Sequence, residues 1–311
     1  MELWLAALAL GAPIALGGLA GAVRLFPDPD GAVDHLNRYA LYFAFPALVF
    51  RGLVDAAFTL PGELGFWLLV PLVLAVGAAL VRLLFPREAP TLALIVAFGN
   101  VAYLGLPVVE RVLGESAVGL AGVAVAIHVT LALSVGPLLL LRWSGRGDGL
   151  ASSLGRVVRQ PLLWAPLAGL LARNLPDDAR ALVDTVVAPL GRSAAPVALF
   201  LLGLYLFIHR ARLRKVEGPD VTHLAVKLLL LPALTFAGAW AFHAAGMMTP
   251  AQAQVLGLLS AMPAAITTFA IAQQLDVGAA RTSRAIVATT VLSLVTIPLT
   301  SWLALTWVAG W

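Results

Sequence analysis

Apolar runs of about 20 residues, separated by short polar breaks, recur along almost the whole chain and predict ten candidate membrane-crossing helices. Their approximate spans are 3 to 23, 36 to 54, 64 to 85, 91 to 112, 117 to 141, 160 to 175, 183 to 208, 222 to 245, 252 to 273 and 283 to 308. The warrant is length: a helix rises roughly 1.5 Å per residue, and the hydrocarbon core is about 30 Å thick. The most loop-like stretch, Ser144-Gly-Arg-Gly-Asp-Gly149, has five candidate helices on each side. It reads as a cytoplasmic connector, 144–159, between a first five-helix repeat, 1–143, and a second, 160–311. Five is odd, so the second repeat enters the membrane in the opposite sense. The expected fold is therefore an all-α polytopic membrane protein of two inverted five-helix repeats.

Proline landmarks keep a common order in the two halves. A shift of 161 residues places Pro71 on Pro232, the Asn100 region on Ser260 and Ala261, and Pro137 on Pro298. Phe45-Pro-Ala-Leu-Val-Phe50 also resembles Ala195-Pro-Val-Ala-Leu-Phe200, at a different offset.

Two of the runs, the fourth and the ninth, are interrupted at membrane depth. One interruption is Phe98-Gly-Asn-Val-Ala-Tyr-Leu-Gly-Leu-Pro107 and the other Ser260-Ala-Met-Pro-Ala-Ala-Ile-Thr-Thr268. Pro107 has no N–H to donate, and its ring obstructs the carbonyl of Tyr103; Pro263 acts likewise on Leu259. Gly99 and Gly105 loosen the first stretch, whereas alanines surround Pro263. Backbone breaks in lipid are tolerated where the freed groups face protein, water or a solute, and paired breaks in corresponding places mark a transport site. Half-helix N-termini pointing at the centre favour an anion. Asn100 is expected to serve a carboxylate or the unwound backbone, and Ser260, Thr267 and Thr268 are hydroxyl candidates on the second break.

Composition narrows the class. The 311 residues are 61% hydrophobic and 12% charged, with a mean hydropathy of +0.95, which excludes a soluble globular or a disordered chain. The net charge of +4 is spread over short loops, so it reports topology and not nucleic-acid binding. An outside N-terminus puts 15 of the 20 Lys and Arg, Lys227 among them, at the cytoplasmic side, with both termini outside. Arg38, Arg51 and Arg192 near span ends are expected to snorkel to headgroups, Arg192 with an alternative substrate-attracting role. Gln273 and Gln274 read as interface residues at the end of the ninth run.

Candidate chemistry is sparse. His128 lies near the middle of the fifth run and is either a neutral histidine bonded to a neighbouring helix or a binding or proton-coupling residue. No Asp or Glu occupies the centre of a run, which argues against a carboxylate-based sodium/proton antiporter. Cysteine is absent, and no metal spacing, phosphate loop or nucleophile elbow is present. No enzyme and no cofactor are expected, with coupling to protons or sodium left open.

At Asn100-Val-Ala-Tyr-Leu-Gly-Leu-Pro107 the sequence resembles the auxin efflux carrier family, and the likeness extends to Phe45–Phe50, Pro196–Gly203 and Met262-Pro-Ala-Ala. The resemblance implies crossed, proline-broken fourth and ninth helices, and scaffold and transport domains each drawn from both repeats, a fold shared with bile acid/sodium symporters. It carries Asn100, Gly105 and Pro107 over as substrate or crossover residues, with Met262 and Pro263 at the second crossover. It also implies a homodimer and small organic anions as substrates, auxin-like or malonate- and malate-like. Ser260 and Ala261 stand where a second Asn would complete a symmetrical pair. The functional expectation is a secondary carrier of small carboxylates in a bacterial inner membrane, working by an elevator-type shift. The alternative is a solute-binding membrane receptor with the same fold and no net transport.

Overall fold

The computed structural model describes residues 2–54, 62–86, 88–143, 161–211, 218–266, 268–269, 272 and 277–311. In chain order the helices are α1 (Glu2–Ala22), α2 (Pro29–Tyr39), α3 (Phe45–Val54), α4 (Leu64–Leu84), α5 (Ala89–Ala97), α6 (Leu106–Leu113) and α7 (Val118–Trp143). They continue with α8 (Pro161–Ala172), α9 (Asp177–His209), α10 (Gly218–Ala225), α11 (Leu231–Ala244), α12 (Pro250–Ser260) and α13 (Ala279–Thr306). Among the described residues the only β-type pairing is one antiparallel bridge, Gly99 to Ala264. Among the described residues five helical stretches are long and apolar enough to cross a membrane: Leu64–Leu84, Glu115–Ala132, Asp177–His209, Asp220–Ala244 and Ala279–Thr306. The connector 144–159 lies outside the described residues.

Proline explains the local irregularities. Three π-helical turns, Ala40–Ala44, Val101–Gly105 and Val226–Leu230, each end two residues before a proline, Pro46, Pro107 and Pro232. A proline ring crowds the carbonyl four residues back, here Tyr42, Tyr103 and Leu228, all inside those turns. The backbone widens, and the residue before the proline bonds one step further back, Phe45 N–H to Ala40 and Leu231 N–H to Val226. The clash expected at Tyr103 is therefore absorbed as a wide turn. The break in that stretch lies upstream, at Phe98–Asn100.

Two compact units are built from alternating pieces of the chain, each using both halves of the sequence. The first comprises Met1–Thr59, Ala102–Val123 and Gln160–Ala211. Within it α1 packs along α9, and α3 lies against α8 and α9. A methyl added to Gly17 would overlap the Phe200 carbonyl, and one added to Gly203 the Ile14 carbonyl, so α1 and α9 touch backbone to backbone. Small residues at helix contacts are the usual route to close packing in lipid, where no hydrophobic drive pulls helices together. Gly203→Ala is expected to destabilise the protein by about 1–3 kcal/mol, as overpacking does. A thermal unfolding midpoint in detergent within a degree of the wild type would contradict that packing. Arg51, expected at the headgroups, instead pairs with Asp184 at 2.8 Å in this unit.

The second unit comprises Leu60–Val101, Ala124–Arg159 and Arg212–Trp311. Here α4 packs on α5 and α11, α11 on α12, and α13 on α5 and α12. Val81, Leu92, Val96, Val226 and Leu231 form one buried cluster. Its α12 starts on a reciprocal cap: Thr249 Oγ1 accepts from Gln252 N–H, and Gln252 Oε1 accepts from Thr249 N–H. The Gln252 amide also donates to Glu63 Oε2 at 2.6 Å, at the head of α4. That bond holds the Glu63 carboxyl below its ordinary range. A depressed carboxylate stabilises the fold above its unfolded pKa, and the gain fades as pH falls through the folded value. The wild type should therefore lose more stability than Gln252→Leu between pH 5 and pH 3, by a small margin. Parallel melting curves over that range would refute the coupling.

Candidate functional site

The site begins where two helices stop. The last regular turn of α5 closes with Phe98 N–H on the Leu94 carbonyl, and α12 ends as the Ala261 and Met262 N–H groups turn back to Leu258 and Leu259. Beyond these points the chain is extended, and the two extended pieces lie antiparallel. Asn100 N–H donates to the Pro263 carbonyl at 2.7 Å, and Ala265 N–H donates to the Phe98 carbonyl at 2.9 Å. Ala264 N–H donates to Thr289 Oγ1 at 3.2 Å, and Gly99 N–H to His128 Nε2 at 3.4 Å. Each break supplies the partners the other lacks, which meets the demand that no backbone group stay unpaired in an apolar interior. A non-helical crossing is thereby held in place by two backbone bonds between the breaks and by the side chains of Thr289 and His128.

Side chains add what the backbone does not use. Asn100 is 1% exposed, and neither its Nδ2 nor its Oδ1 has a hydrogen-bond partner. Thr268 is fully buried with its Oγ1 likewise unpartnered. An unmet buried polar group costs about 1–3 kcal/mol, so two beside one crossing call for a ligand or a functional reason. Met262 and Pro263 are buried in the same crossing, and Ser260 donates its hydroxyl to the Gly257 carbonyl at 2.7 Å.

A cavity opens beside the crossing, walled by apolar residues of α4, α5, α11 and α12. Its polar lining is His128, Lys227, Thr235 and Ser260, and Thr235 spends its hydroxyl on the Leu231 carbonyl at 2.8 Å. Lys227 corrects the topology reading. Placed among loop charges by that reading, it is instead buried, 2% exposed inside the second unit, with Nζ 3.5 Å from the Val96 carbonyl. The π-turn upstream of Pro232 carries it there. Among the described residues no carboxylate pairs with it. The available signal was that only two lysines exist in the chain, Lys215 and Lys227, and the second stands five residues before a proline within an apolar run.

The sequence-derived candidates divide between the two units. Gly99, Asn100, His128, Ser260, Met262, Pro263 and Thr268 all belong to the second. Tyr103, Gly105 and Pro107 belong to the first, where the Tyr103 hydroxyl donates to the side chain and carbonyl of Asn37 and its ring meets Phe45 edge-on at 5.0 Å. Thr267, Gln273 and Gln274 lie outside the described residues.

Comparison with known proteins agrees in class. A family model described as "Membrane transport protein" matches residues 14–301. A protein of Rhizobium meliloti (strain 1021) named "Putative malonate transporter" is 28% identical over 286 residues, covering 88% of each chain. An "Uncharacterized transporter" of Methanothermobacter thermautotrophicus is 26% identical over 302 residues, 93% of this chain and 94% of the relative. The "Uncharacterized transporter YfdV" of Escherichia coli (strain K12) is 26% identical over 298 residues, 91% and 92% respectively.

Proposed function

The chain belongs to the membrane transport protein family, the auxin efflux carriers, and is an integral membrane protein; from that premise we propose that it is a secondary carrier of small organic anions, carboxylates of the malonate class. The observation that carries this reading is the buried, unpartnered amide of Asn100 at the junction of the two breaks. Its Nδ2 can donate to a carboxylate, and the unpartnered Thr268 hydroxyl adds a second donor in the same unit. The name of the Rhizobium relative supports the substrate class. No covalent chemistry is implied.

All groups of the crossing and its cavity belong to one compact unit. A body that holds a whole site can carry it across a membrane, which supports elevator-type alternating access. The arrangement we infer is ten crossings in two inverted five-helix repeats, with both termini outside a bacterial inner membrane and two copies associating. Uptake of labelled malonate, malate, lactate and indole-3-acetate into proteoliposomes, under imposed proton, sodium and voltage gradients, tests the carrier. Saturable accumulation of one of them is the expected result. Binding in detergent without accumulation under any gradient would overturn transport and favour a receptor.

A further inference from the structure

We propose that Lys227 is the residue that takes the substrate's carboxylate, its ammonium forming the charged end of the cavity beside Gly99. The inference rests on the reading of the protein as an anion carrier and names the group that makes it one.

Three observations converge on Nζ. The first is placement. Asp220 and His223 of α10, Lys227 of the wide turn and Leu231 of α11 follow one another at three- and four-residue spacing and are all buried, so one polar stripe faces the interior of the unit. The wide turn before Pro232 holds Lys227 where that stripe reaches the cavity. The second is the missing counter-charge. Asp220 is committed to Arg284, with a 2.8 Å contact, and among the described residues Lys227 keeps only the Val96 carbonyl at 3.5 Å. A buried ammonium without an anion costs several kcal/mol, and it has three donors to satisfy. Ionisable groups at such depth mark substrate or ion sites, because an arriving counter-ion offsets that cost.

The third is the shape of the wall. A side chain on Gly99 would begin 3.1 Å from Lys227 Nζ and 3.7 Å from His128 Nε2. Glycine leaves that edge of the break open to the ammonium. His128 Nε2 accepts from Gly99 N–H, so its outward nitrogen is not a second donor here. Lys227 is then the sole ammonium among the lining residues, and most of the remaining wall, including Leu69, Val73, Leu256 and Leu259, is apolar. A cation would be repelled and a neutral solute would leave the charge unmet. A small anion with one carboxylate against Nζ satisfies the site.

The test uses the full chain in proteoliposomes, with the carboxylate of the four-member panel that the wild type accumulates, and malonamide as a neutral competitor. Lys227→Met should lower kcat/KM at least 100-fold while the unfolding midpoint holds or rises, since an unpaired buried charge has been removed. Gly99→Ala keeps the lysine and crowds side-chain ends, Lys227 Nζ at 3.1 Å and a Val101 methyl at 3.3 Å; it should raise KM about tenfold with a modest change in stability, and it decides the matter if Lys227→Met does not fold. Malonamide should not compete. Unchanged KM in Lys227→Met or in Gly99→Ala, or competition by malonamide equal to that of malonate, overturns the role of Lys227 and leaves the carrier standing. A wild type that moves none of the four carboxylates overturns the carrier reading, and this inference with it.

Discussion

Replacing Asn100 with leucine is expected to cut uptake by about 10- to 100-fold while the unfolding midpoint stays level or rises. The two effects have opposite sign for one reason. In the free protein both amide atoms of Asn100 are buried without partners, a standing cost of about 1–3 kcal/mol that an apolar side chain of similar size removes. With substrate bound, the amide would hydrogen-bond a charged group, worth about 1.5–3 kcal/mol, or roughly one to two decades in affinity. The backbone bond from Asn100 N–H to Pro263 survives the substitution, so the crossing itself should persist. A midpoint several degrees lower with uptake unchanged would make Asn100 a structural residue and remove the central support for the site.

Asp220→Ala is expected to cost about 3–5 kcal/mol of stability, as breaking a buried ion pair does. Its carboxylate is buried and accepts from Arg284 Nε at 2.8 Å and a terminal nitrogen of Arg284 at 3.4 Å, with Arg281 at 3.7 Å. Arg281 reaches Glu88 at 3.7 Å as well, so the network ties α10 and α13 to the turn before α5. Removing the acid takes from Arg284 the buried carboxylate that its Nε bonds, while Arg281 keeps Glu88. The companion change Arg284→Met should recover part of the loss when combined with Asp220→Ala, because charge and counter-charge then leave together. Denaturation of the four proteins of that cycle checks it. Additive losses would show the pair to be independent and the network to be screened by solvent.

Much of the site was legible before any coordinates, and the boundary is instructive. Asn100, Gly99 and Pro263 were readable because helix breakers in an apolar run violate a rule that lipid enforces, and a violated rule is a local signal. The π-turns were half-legible: the prolines announced a disturbance, and only the folded backbone shows it absorbed by widening the turn at Tyr103 and breaking the helix five residues earlier. Pro107 was a site candidate by motif, yet it starts α6 in the other unit from Asn100. Lys227 was misread because charge near the end of an apolar run usually marks a membrane face. Its actual place depends on which side of the Val226–Leu230 turn meets α5, a fact carried by no local pattern.

Length, hydropathy and proline positions by themselves determined that the chain is helical, that it belongs in a membrane, and where its helices must yield, because those outcomes follow from backbone hydrogen bonding within a single segment. Tertiary structure alone decided that the two breaks satisfy each other, that Asn100 is left with nothing to bind, and that Lys227 and His128 line one cavity beside Gly99. Those outcomes need residues more than a hundred positions apart to be brought together, and only the packing of one helix face against another can do that.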